Sequence, residues 1–156
     1  MNKIENMTSA STTEIQNPLN FKVVGGQFTA DEVLNAYFKG KESVMKEVKE
    51  LIKSGLQLSS VSSNYLFEKL RNETITVEAM YLRFVTPKEF DTLVIISDED
   101  YYNKEKRWNA YKYAREINKS IDDLYLNFSF IPHSDEIDNS IIASDGFVFK
   151  YDKKDN

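Results

Sequence analysis

Two knots of acidic residues are the first candidates for chemistry in this 156-residue chain. Asp98, Glu99 and Asp100 follow one apolar run (90–96); Asp135, Glu136 and Asp138 follow another (124–131). The single histidine, His133, stands beside the second knot. Converging side chains of Asp98, Asp100, His133 and Asp135 could hold Mg²⁺ or Mn²⁺, hard cations that prefer oxygen ligands. A metal held there could polarise the phosphate of a phosphoester or nucleotide. The same residues also have an ordinary structural use. Ser97 or Asp98 can cap a helix, and acids in a first helical turn satisfy its unpaired backbone N–H groups. Residues 135–139 read as a solvated loop. Capping accounts for the pattern without a ligand, so the metal-dependent enzyme stands as the alternative reading. His133 alone cannot form a two-histidine site, and HExxH is absent. To act as a base it would need an orienting partner such as Asp135.

The second group lies on the helical stretch between those runs. At about 100° per residue, Tyr101, Lys104, Trp108, Lys112 and Arg115 fall on one side, with Tyr111 at its margin. The opposite side carries Tyr102, Ala110, Tyr113, Ala114, Ile117 and Ile121. The one tryptophan is thereby expected on a face with cations. Trp, Tyr and Arg dominate protein interfaces, and aromatics interleaved with cations can also stack on bases or engage anions. The structural counter-reading packs Trp108 beneath an N-terminal helix, with lysine stems running around it.

Several catalytic schemes lack their parts. There is no GxGxxG, no P-loop and no GxSxG; Gly25 and Gly26 lack the following Lys-Ser/Thr. A nucleotidyltransferase is suggested by Asp91 with Asp98 and Asp100. Its Gly-Ser entry and its two acids at the required strand position are missing.

Composition sets the frame. The length suits one domain, and the chain is 41% hydrophobic and 13% aromatic, enough for a core. No cysteine is present, which removes disulfides, thiolate metal sites and cysteine nucleophiles together. The net charge is −5 and the pI about 5.0, which opposes non-specific binding to nucleic acid or anionic membrane. No apolar run approaches the roughly 20 residues of a membrane span. Lys3 is followed by a polar 8–13 where a signal peptide would be apolar. A cytoplasmic protein without cofactor is expected. Richness in Lys, Asn, Ile and Glu suggests a bacterial or phage source.

The elements follow from periodicity. Residues 1–20 are expected to be a disordered tail. Residues 21–24 read as a short strand or an extended entry, ended by Gly25 and Gly26. Thr29 and Glu32 form a capping box, with Phe28 and Val33 as its hydrophobic staple. The helix they open carries Val33, Tyr37, Val44, Val48 and Leu51 inward, is weakest at Gly40, and stops at Gly55. Ser59, Ser60, Ser62 and Ser63 are expected to cap a second helix reaching about Asn72, with Tyr65, Leu66, Phe67 and Leu70 on its apolar side. Strands are expected at 75–85, 90–97 and 124–131, with one helix over 100–120. Asp145 and Gly146 between apolar runs 141–143 and 147–151 signal a hairpin.

The fold class expected is α+β, ordered α-α-β-β-α-β-β. A mixed five-stranded sheet contains a right-handed βαβ crossover and carries the N-terminal helices. The domain spans 21–152, and 153–156 fray. The function expected is a small non-enzymatic interaction or regulatory module that binds another protein through Tyr101, Lys104, Trp108, Tyr111, Lys112 and Arg115.

Overall fold

The computed structural model describes residues 21–24, 29–38 and 45–151. It is an α+β fold with a mixed sheet. In chain order the elements are β1 (Phe21–Val23), α1 (Ala30–Phe38), α2 (Met45–Asn72), β2 (Val77–Thr86), β3 (Glu89–Ile96), α3 (Asp98–Tyr102), α4 (Lys104–Ser120), β4 (Tyr125–Pro132), α5 (Asn139–Ser144) and β5 (Phe149–Tyr151). The strands lie in the order β1-β5-β2-β3-β4. The expectations for 1–20, Gly25, Gly26, Phe28, Gly40, Val44 and 153–156 fall outside the described residues.

The central pairing is as the apolar runs require. β2 and β3 form an antiparallel hairpin across a tight turn. β3 and β4 run parallel along their whole length, from Glu89 beside Tyr125 to Ile96 beside Pro132. The crossover between them is α3 and α4. Strand alternation sends Met80, Leu82, Phe90, Val94, Ile96, Leu126, Phe128 and Phe130 to the face covered by α2 and α4. Tyr81 and Ile95 go to the other face, where Ile142 of α5 closes a smaller cluster. Fully burying side chains such as Leu66, Leu70 or Met80 contributes about 1.5–3 kcal/mol each.

The expected strand list and order do not hold. Residues 141–143 belong to α5, and the fifth strand is β1, which pairs outside β5. The Asp-Gly step explains the error. Gly146 has φ +91, the conformation a hairpin turn would need, but here it ends a helix. Its N–H donates to the Ala143 carbonyl at 3.0 Å, and the Phe147 N–H donates to Ile142 at 3.2 Å. That is a Schellman cap. Upstream, the Asp138 carboxylate accepts from the N–H groups of Ser140 and Ile141, which starts the helix the hairpin reading omitted.

The N-terminal helices also divide differently. The Thr29–Glu32 capping box forms, with Thr29 N–H to Glu32 at 2.7 Å and Glu32 N–H to Thr29 at 3.2 Å. But Gly55 does not stop a helix, and the serines do not start one. α2 runs unbroken for 28 residues, and Ser59, Ser60, Ser62 and Ser63 are buried within it. Small residues are needed there because the helix lies close on the sheet. A Cβ on Gly55 would meet Phe90 Cε2 at 2.7 Å and the Pro87 carbonyl oxygen at 3.2 Å. Ser59 Oγ donates back to the Gly55 carbonyl at 2.7 Å. With the helix phase set by Ile52, Leu56, Leu66 and Leu70, both Leu51 and Tyr65 turn outward, against expectation.

Candidate functional site

The helix over 100–120 is two helices. Asn103 divides them: its side-chain oxygen accepts from the N–H groups of Glu105 and Lys106, both at 3.1 Å, and so caps α4. Tyr102 therefore ends α3 and is exposed, not inward. Within α4 the inner stripe is Ala110, Ala114 and Ile117, all buried, with Tyr113 and Ile121 half-buried beside them. The alanines let α4 lie against β3 and β4 without side chains that would hold it off.

The outward face follows from that phase. Trp108 is 61% exposed. About two turns further on, the Arg115 guanidinium lies over the indole, 5.6 Å from the ring centroid. A cation at that distance from a tryptophan face is attracted to it, by about 0.5–1 kcal/mol at an exposed site. Lys104 and Lys112 are exposed on the same side. Tyr111 is 38% exposed and sets its ring edge-on to Phe130 of β4, with centroids 4.9 Å apart. Tyr101 departs from the group. It sits in α3, half-buried against the main core, with Arg107 over its ring at 5.5 Å. Five of the six expected residues thus share α4, and Trp108, Lys112 and Arg115 form the centre of its solvent face.

Beside this face runs the outer edge of β4. Tyr125 N–H donates to the Lys88 carbonyl and His133 N–H to that of Ile96, both at 2.8 Å. The odd-numbered residues of β4 therefore bond β3, and Leu126, Phe128 and Phe130 turn their backbone groups the other way. Asn118 of α4 meets this edge as a strand would. Its amide oxygen accepts from Leu126 N–H at 2.9 Å, and its amide nitrogen donates to the Leu126 carbonyl.

The acidic strand exits arrive at one rim but do not form a cluster. Asp100 is 4% exposed and its side chain turns inward. It accepts from the Thr76 N–H and from Lys106 Nζ, both at 2.6 Å. Burial alone raises its pKa, but the bonds from Lys106, the Thr76 amide and Ser97 outweigh this and hold the carboxyl below its ordinary value. Lys106 donates also to the Thr74 carbonyl at 2.9 Å, where the chain leaves α2 through a left-handed residue (φ 58). Asp100 is thus a structural tie between the crossover and the end of α2. Asp98 and Glu99 are exposed in the first turn of α3. His133 and Asp135 stand 3.6 Å apart, both in solvent. Hydrogen bonds from the Ser140 hydroxyl and the Ile141 amide hold the Asp138 carboxyl below its usual range. Among the described residues, no three His, Asp or Glu side chains are grouped to hold a metal ion. Asp91 is likewise committed: Arg83 Nε donates to it at 3.0 Å, and the same guanidinium reaches the Asp145 carbonyl at 2.9 Å.

No family model matches this chain, and neither a curated protein nor a solved structure matches it. Among the described residues no helix is long and apolar enough to cross a membrane. One exposed surface escaped the reading of residue types: the outward side of α2, whose signal was a run, 54–67, without any Asp, Glu, Lys or Arg.

Proposed function

We propose that this is a small non-enzymatic interaction module that binds another protein through the outward face of α4. The observation that carries the reading is the exposed indole of Trp108 beneath the Arg115 guanidinium. An aromatic held in water by a cation, with Lys104 and Lys112 beside it, suits a partner that brings an apolar side chain to the ring and a carboxylate to the arginine. Tyr111 extends the surface toward β4. We take residues 21–152 as the folded unit that presents it, and the cytoplasm of a bacterium or a phage host as its setting. The net charge of −5 disfavours nucleic acid as the partner.

The test is capture by immobilised protein. Trp108→Ala with Arg115→Ala should abolish retention of the partner while thermal unfolding stays unchanged, since both side chains are exposed. Undiminished retention by a folded double variant would count against the reading.

A further inference from the structure

The outward side of α2 carries Leu51, Leu58, Val61 and Tyr65, each 40–54% exposed. Leu51, Leu58 and Tyr65 recur every seven residues, and Ser54 and Val61 fall three residues after the first two. That is the a/d spacing of a coiled-coil seam. It points opposite to Ile52, Leu56, Ser59, Ser63, Leu66 and Leu70, which are buried on the sheet. The run 54–67 holds no charge, whereas 29% of the whole chain is charged. A solvated helix face ordinarily carries charges, so this one is shaped for a neighbour.

The residues bordering the seam specify which neighbour. Glu50 and Gln57 precede the first two seam leucines, and Asn64 and Arg71 continue that row. In an antiparallel helix pair that sets Leu58 against Val61 of the partner subunit, the same register brings Tyr65 over the partner's Ser54, large against small. It brings Gln57 to the partner's Asn64, whose Oδ1 already accepts from the Tyr151 hydroxyl at 2.6 Å and whose amide N–H₂ is left to meet the glutamine oxygen, and it brings Glu50 to the partner's Arg71. Leu51 meets the aliphatic stem of the partner's Glu68. A parallel in-register pair would instead bring Glu50 beside the partner's Gly55 and give it no opposite charge to meet. The sequence of this one helix face is therefore complementary to itself when reversed, as a twofold interface must be.

We propose that α2 is a self-association surface on which a second copy of this chain docks antiparallel. The contact uses a different helix from Trp108 and does not depend on the function proposed above. With two heptads of seam, the pair is expected in the transient range, with a dissociation constant on the order of 10 μM.

Sedimentation equilibrium on the full chain tests this. The wild type should show concentration-dependent dimerisation. Val61→Glu should give a monomer at every concentration with its melting temperature unchanged. Glu50→Arg and Arg71→Glu should each weaken the dimer about tenfold, and the two together should restore it. Loss of the Glu68–Arg71 surface pair in one variant should matter little to folding. A wild type that stays monomeric at the highest attainable concentration overturns the proposal, whatever else binds α2. A dimer that survives Val61→Glu also overturns it, as does a double charge reversal that fails to recover association.

Discussion

Arg115 lies over the ring of Trp108, and the indole beneath it remains more than half open to water. Because this is the chain's one tryptophan, its fluorescence reports that relationship directly. Emission from the free protein should be that of a solvated indole. Iodide should quench it strongly, drawn by the guanidinium, and Arg115→Ala should reduce iodide quenching while leaving acrylamide quenching unchanged. A blue-shifted, unquenched emission would mean the ring is covered.

Asp100 joins α3 to the end of α2 through Thr76 and Lys106. Asp100→Asn keeps the shape but leaves Lys106 without its counter-charge, and should cost about 3 kcal/mol in urea denaturation. The pH dependence has a definite sign. The folded carboxyl titrates below the unfolded value of 3.8. Its contribution is complete above that value and is lost as pH falls through the lower folded one. Wild-type stability should therefore drop below about pH 4, and the Asp100→Asn profile should be flatter there. Parallel profiles would remove Asp100 from this role.

The helix–sheet distance at Gly55 should be intolerant of one methyl group. An alanine Cβ would stand 2.7 Å from Phe90, a ring fixed in the core. Overpacking costs about 1–3 kcal/mol, and the gain in helix propensity, about 1 kcal/mol, offsets only part of it. Gly55→Ala should be destabilising alone and less so with Phe90→Leu, read by a double-mutant cycle. Additive losses would show that the two residues do not press on each other.

Asn118 closes the edge of β4 at Leu126. Removing the amide leaves a backbone N–H and C=O open on a strand, 125–132, without a charged residue. Asn118→Ala should lower stability by about 1–2 kcal/mol and increase aggregation on partial unfolding, measured by light scattering, because bare edges pair with other chains. Unchanged scattering would show that the edge needs no guard.

What the sequence disclosed divides by the range of the interactions involved. The hairpin of β2 and β3 and the parallel β3–β4 crossover were legible, because the nearly continuous apolar run of β3 reads as a central strand, the alternation in β4 as a strand with one buried face, and the helical stretch between them as a crossover. The phase of α4 was legible from Ala110 and Ala114. The division at Asn103 was missed although its cap is local, because the acids before it already supplied a helix start. Gly55 and the serines of α2 misled for a different reason. The small size of Gly55 serves a contact with Phe90 some 35 residues away, and the serines are buried within the helix; propensity alone reads such residues as a boundary. Asp145–Gly146 was ambiguous by nature: one left-handed glycine serves a hairpin and a helix end equally, and Asp138 decides between them. At the candidate site, helical spacing sufficed to place Trp108, Lys112 and Arg115 together. It could not show that Asp100 faces Lys106 and Thr76, since that choice depends on how the crossover meets the end of α2.

The measurement closest to the central claim compares capture of a partner by the wild type and by the Trp108→Ala/Arg115→Ala variant, immobilised at equal density and shown to unfold at the same temperature. The α4 face account predicts a partner retained by the first and lost from the second. Equal retention by both would contradict it.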